Sequence, residues 1–102
     1  MTAVVISPAA ELDIEEIWAT IASDNRGAAN RIVRAIGRKI GLLDRNPRLG
    51  VRRPDIRPTV RMLVQRPYLI LYELQPDTDE RAVEIVSIVR VIDGRRDLAT
   101  LF

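Results

Sequence analysis

The sequence predicts an α+β domain: an N-terminal strand and a helical hairpin packed on a small antiparallel sheet with a three-strand meander. Three observations carry this. Apolar residues recur at helical spacing through the first half of the chain, and short β-branched runs bounded by Pro and Gly fill the second. The chain has 102 residues, enough for one compact core, so residues 1–102 read as a single domain.

The elements follow in order. Ala3-Val4-Val5-Ile6 reads as a strand ended by Ser7-Pro8. Ser7 is a good N-cap and Pro8 suits the first helical position. Ala10, Ile14, Ile17, Trp18 and Ile21 then fall on one face of a helix running to about Ala22. Leu12 points away from that stripe. Asp24 or Asn25 can cap a second helix, whose stripe is Ala29, Ile32, Val33, Ile36, Ile40 and Leu43, and Asn46-Pro47 ends it. Arg31, Arg34, Arg38 and Arg45 lie on its opposite face, and Gly37 and Gly41 suggest close packing on the first helix. Residues 47–58, with three prolines and four arginines, read as a basic loop. Thr59 to Gln65, Tyr68 to Leu74 and Ala82 to Val91 read as the three strands of the meander.

Composition removes most catalytic templates. There is no cysteine and no histidine, so thiolate nucleophiles, disulfides, Cys-type zinc sites and the commonest general base are all excluded. We expect no metal and no cofactor. No apolar run approaches a membrane span and no signal-peptide pattern is present, so the expected setting is the cytoplasm. The net charge of +2 hides a strong segregation. Residues 1–24 carry five acids and no base, residues 25–66 twelve bases and two acids, and residues 67–102 four bases and seven acids. Eleven of the twelve bases in the middle block are arginine, whose planar fork suits carboxylate or phosphate.

The last two strands are apolar at both parities. Val83, Ile85 and Val89 alternate with Val86 and Ile88, and Tyr68, Ile70 and Tyr72 with Leu69 and Leu71, which is the pattern of strands buried on both faces. The two helices can cover one face. For the other, a partner chain and a fold-back of the basic loop with the tail from Asp97 to Phe102 both remain open.

This order of elements resembles the ParE/RelE superfamily of bacterial type II toxins. Carrying the resemblance are Ser7-Pro8-Ala9-Ala10 leading to Asp13-Ile14-Glu15-Glu16-Ile17-Trp18, then Asn25 with Ala28-Ala29, and Asn46-Pro47-Arg48-Leu49-Gly50. Asp55-Ile56-Arg57 to Arg61, Pro67-Tyr68 with Leu71-Tyr72, and Arg90-Val91-Ile92-Asp93-Gly94-Arg95-Arg96-Asp97 complete it. The resemblance implies a growth-inhibiting cytoplasmic toxin of a plasmid-stabilisation type, held in a hetero-oligomer by a ParD-like ribbon-helix-helix antitoxin. It implies either inhibition of DNA gyrase by protein binding, the ParE branch, or ribosome-dependent mRNA cleavage, the RelE branch; an inactive interaction module is a third reading.

The ParE branch fits the residues better. Leu69 follows Tyr68 where the cutting branch commonly has arginine, and Phe102 stands where its terminal tyrosine would be sought, with no hydroxyl to move a proton. Asp93 occupies a place where ParE sequences usually have histidine. No catalytic residue is expected unless the chain is a ribonuclease, in which case Arg96, Arg61 and Tyr68 are the candidates. Candidates for target binding are Arg90, Arg95, Arg96 and Phe102. Those for antitoxin binding are Leu12, Arg31, Arg34, Arg38, Arg53 and Arg57. Direct nucleic-acid binding is not expected, because no aromatic residues interleave with the loop arginines to form a stacking platform. Trp18 at core spacing reads as packing, and Asp77, Asp79 and Glu80 as a polar turn rather than a calcium loop.

Overall fold

The computed structural model describes residues 2–96. Its element order is β1 (Ala3–Ile6), α1 (Pro8–Ala22), α2 (Arg26–Gly41) with a 3-10 turn (Leu42–Asp44), β2 (Val51–Arg52), β3 (Arg61–Gln65), β4 (Tyr68–Gln75) and β5 (Ile85–Asp93). The five strands form one sheet in the order β1-β5-β4-β3-β2. The α+β class holds, with one refinement: β1 joins the sheet edge parallel to β5, while the other pairings are antiparallel.

Both helices start where local chemistry dictates. Ser7 Oγ accepts from the Ala10 amide at 3.0 Å, and Asn25 Oδ1 from the Ala28 amide at 2.9 Å, each satisfying one of the donors orphaned at a helix N-terminus. Ser7 also donates to Val89 O at 2.9 Å, so the cap of α1 is tied to β5. One layer of core lies between the hairpin and the sheet, where Ala10, Ile36, Ile40 and Leu43 meet Leu63, Ile70, Tyr72, Leu74, Val86, Ile88 and Val91. Trp18 is not part of that core. It is half-buried in the seam between the helices, donating from Nε1 to Asn30 at 2.8 Å beneath the Arg26 guanidinium, 5.8 Å from the ring centroid.

Several expectations need correction. The basic loop contains the short edge strand β2, which pairs Val51 with Met62 and Arg52 with Arg61. Val60 belongs to the loop and packs under it. Strand β5 begins at Ile85, and Val83, placed opposite Val86 and Ile88 by alternation, shares their core. A bulge at Val89 sets Tyr72 against Ile88 but Leu71 against Arg90, so Ile88 and Val91, three residues apart, both face the helices. Gly37 and Gly41 do not mark close packing, since a Cβ at either would meet nothing within 4 Å.

The outer face of the sheet is partly covered by the chain itself. Val60 is buried there with Leu71 and Ile92, and Ile56, Met62 and Leu69 pack against them. Val5, Val51 and Val64 remain exposed. The tail from Asp97 lies outside the described residues.

Candidate functional site

Three arrangements of functional side chains stand out, and the first is a cleft where α1 passes the end of β5. Asp13 lies on the inward side of α1, on the face shared by Ala10 and Ile17. Its carboxylate accepts from Arg90 Nε at 2.7 Å, from Arg90 Nη2 at 2.9 Å and from the Val91 amide at 2.9 Å. The bidentate fork raises the Arg90 guanidinium above its ordinary value, and the pair fixes the strand just beyond the bulge. Beside it is an open cleft of about 280 Å³, lined by Asp13, Glu16, Ile17, Thr20, Tyr68, Val91, Ile92, Asp93 and Arg96. Its rim is a tight turn. Asp93 accepts from Arg95, whose hydrogen bonds hold the Asp93 carboxyl at a pKa of about 2, and the Arg96 amide donates to Asp93 O at 3.1 Å.

The second arrangement is a clamp on the basic loop. Tyr72 is fully buried, and its hydroxyl accepts from the Gly50 amide at 2.8 Å and donates to Pro47 O at 2.9 Å. Burial pushes this phenol above its usual pKa. Arg61, opposite Tyr72 on β3, is 7% exposed and donates to Gly50 O at 3.2 Å and Arg48 O at 3.3 Å, while its Nε has no partner. Gly50 is needed here for space, because a Cβ would lie 2.7 Å from Met62 O and from the Tyr72 ring. The loop arginines finish the clamp. Arg48 donates to the carbonyls of Thr78 and Arg81 and pairs with Asp79, Arg52 with Asp77, Arg53 with Asp55, and Arg57 with Glu73. Arg53 also reaches Met62 Sδ at 3.2 Å, and Glu73 accepts from Thr59.

The third is the outer side of α2. Arg31, Arg34 and Arg38 are exposed, and among the described residues no acidic side chain pairs with them or with Arg45.

The candidates named from sequence are therefore dispersed. Tyr68 and Arg96 line one cleft. Arg90 stands at its wall through Asp13, and Arg95 is turned back onto Asp93. Arg61 is buried beside Tyr72, four residues along β4 from Tyr68, or about 13 Å. Arg53 and Arg57 are engaged within the loop. Leu12 is 59% exposed on α1, and Phe102 lies outside the described residues. Sequence reasoning missed Asp13, Glu16 and Thr20 as cleft residues. For Asp13 a signal existed: a carboxylate one turn before Ile17 and one turn after Ala10, on a buried stripe, needs a partner.

A helical hairpin on a mixed five-stranded sheet, with a basic second helix and an arginine-rich strap, defines a small α+β domain built around a surface cleft and exposed charge. The chain belongs to the ParE toxin family of type II toxin–antitoxin systems, whose family model, "ParE toxin of type II toxin-antitoxin system, parDE", matches residues 4–98. It is similar to Toxin ParE3 of Caulobacter vibrioides, 42% identical over 53 residues, which are 52% of this chain and 46% of that protein; the match thus spans under half the relative's length. Its fold is similar to a chain from the structure of a chromosomal ParDE toxin–antitoxin system of P. aeruginosa. That likeness has a TM-score of 0.72 at 20% identity and covers 91% of this chain and 96% of the other. Among the described residues no helix is long and apolar enough to cross a membrane.

Proposed function

We propose that this chain is a cytoplasmic toxin that inhibits DNA gyrase by binding it and is neutralised by a cognate ParD-like antitoxin in a hetero-oligomer. Family membership supplies the class, and the make-up of the cleft favours binding over cutting. Tyr68 and Arg96, two of the three residues of the ribonuclease alternative, share a cleft in which Arg90 and Arg95 are tied to Asp13 and Asp93, so Arg96 is the one lining cation left for a phosphodiester among the described residues, beside the carboxylate of Glu16. Arg61, the third, is buried against carbonyl oxygens outside that cleft. Such a surface suits a protein partner better than an RNA backbone. The exposed turn of Arg95 and Arg96, with the chain that follows to Phe102, is the proposed target contact. The antitoxin's C-terminal segment is proposed to lie along the hairpin and the sheet, with Leu12 as an apolar anchor.

Induction in cells tests this reading. Expression of the chain alone should arrest growth and raise a DNA-damage response, and co-expression of the antitoxin should restore growth and allow co-purification. Transcript cleavage without gyrase-linked DNA breaks would establish the ribosome-dependent endonuclease instead.

A further inference from the structure

The helical hairpin carries its charge in two adjacent stripes of opposite sign. Helix α1 contains Glu11, Asp13, Glu15 and Glu16 and no base, whereas α2 contains Arg26, Arg31, Arg34, Arg38 and Lys39 and no acid. Asp13 is turned inward to Arg90, but Glu11 and Glu15 are exposed on one helix and Arg31, Arg34 and Arg38 on the other. None of these exposed groups has an ion-pair partner among the described residues. Each stripe also holds one large apolar side chain. Leu12, 59% exposed, stands beside Glu15 on α1, and Leu42, 46% exposed, stands one turn beyond Arg38.

We propose that the outer face of the hairpin docks on the same face of a second copy of this chain, with α1 of each copy lying on α2 of the other. The two stripes together select this occupant. A polyanion lying on the arginines of α2, whether nucleic acid or acidic polypeptide, also meets the carboxylates of α1 about 10 Å away, and a basic partner of α1 meets the arginines. The fitting surface carries an acidic and a basic helix side by side in crossed order, and a second copy supplies that pattern. Symmetry then decides which charges meet. Trp18 beside Asn30 sets the heights of the two antiparallel helices, so that Glu15 is about level with Val33, Leu12 with Ile36 and Glu11 with Gly37. A two-fold axis along the hairpin keeps those heights. Glu15 of the second copy then comes over Arg31 and Arg34, Glu11 over Arg38, and Leu12 over Ala35 between the arginine stems, while Leu42 reaches the exposed Pro8. An axis across the hairpin would instead lay acid on acid and arginine on arginine, so charge permits one of the two face-to-face arrangements. Each contact occurs twice, which adds up individually weak surface pairs. The dimer would mask Leu12, the proposed antitoxin anchor, but the inference depends neither on the antitoxin nor on gyrase.

Sedimentation velocity of the full chain over a range of concentrations, at about 0.05 M and about 0.5 M salt, tests it. Wild type should form a concentration-dependent dimer whose dissociation constant rises at least about tenfold at the higher salt, because exposed pairs are screened. The Glu11→Arg, Glu15→Arg variant sets base against base and should sediment as a monomer. So should the Arg34→Glu, Arg38→Glu variant, which sets acid against acid. Mixed in equal amounts the two should regain a dimer, since each altered helix then faces its complement. An Arg66→Gln, Arg81→Gln variant should dimerise like wild type. Should a reversal unfold the chain by circular dichroism, Leu12→Gln replaces it, with the dimer expected to weaken about fivefold. A wild type that is monomeric at both salts, a mixture of folded variants that stays monomeric, or a dimer of either reversed variant alone would overturn the proposal. Assemblies larger than a dimer would also overturn it, marking an open head-to-tail contact. So would binding of polyglutamate or duplex DNA by a wild type that stays monomeric, which assigns the stripes to a polyanion. Gyrase inhibition is not among the readouts, so failure here leaves the gyrase reading standing, and failure of that reading leaves this one.

Discussion

The basic block divides into two halves that carry the same charge and treat it in opposite ways. In the loop, Arg48, Arg52, Arg53 and Arg57 each meet an acid within 4.0 Å, and the loop is pinned from beneath by Tyr72 and Arg61. On α2, Arg31, Arg34 and Arg38 meet none among the described residues. Charge in the loop is spent on shape. Charge on the helix is left in solvent. The cleft adds a third case, in which Arg90 is tied by Asp13 to hold β5 at its bulge.

Stability measurements separate these roles, and the largest effect belongs to the clamp. Gly50→Ala drives a methyl group into Met62 O and the Tyr72 ring and should lower unfolding free energy by about 3 kcal/mol in a denaturant titration. An unchanged midpoint would show that the loop yields freely and would break the contrast with α2. Next, Asp13→Ala strips Arg90 and the Val91 amide of their acceptor. With the Asp13 and Arg90 side chains 12% and 25% exposed, partial solvent screening keeps the expected loss to about 2 kcal/mol. A cycle with Arg90→Met should recover part of it, since that removes the stranded charge. Tyr72→Phe keeps the ring but leaves the Gly50 amide and Pro47 carbonyl without the hydroxyl, for about 1 to 2 kcal/mol.

A smaller effect concerns pH. The folded-state pKa of Asp93, about 2, lies below the ordinary 3.8, so the contribution of its contact with Arg95 is complete above about pH 4 and fades as pH falls toward 2. Asp93→Asn should flatten that part of the acid-unfolding curve. Smallest of all, the triple glutamine variant of Arg31, Arg34 and Arg38 should stay within about 0.5 kcal/mol of wild type. A larger loss would mean that the helix cations are structural after all.

Much of this architecture was legible because it is local. Ser7 and Asn25 cap the helices they were expected to cap or share in capping, and the apolar stripes of α1 and α2 specify which faces turn inward. What escaped depends on distant residues. Strand β2 is two residues long inside a Pro-rich segment and exists because β3 offers it an edge. The bulge at Val89 reverses strand parity, so Val91 joins Ile88 in the core, and Val83 escapes period-2 reasoning because it precedes the first residue of β5. Tyr72 and Arg61 reach Gly50 across 22 and 11 residues of sequence, a convergence that no spacing rule encodes. Burial of both explains why Arg61, one of the ribonuclease candidates, serves with Tyr72 to hold a strap. Of the two ways open for covering the outer sheet face, the basic loop supplies part through Ile56 and Val60, while Val5, Val51 and Val64 stay exposed.

The central claim is that this ParE-family chain acts by binding gyrase, and a supercoiling assay with the purified toxin tests it most directly. Relaxed plasmid, ATP and gyrase should yield less supercoiled product as toxin is added, with activity restored by stoichiometric antitoxin. Undiminished supercoiling at toxin in excess over gyrase, together with cleavage of ribosome-bound mRNA by the same preparation, would contradict it.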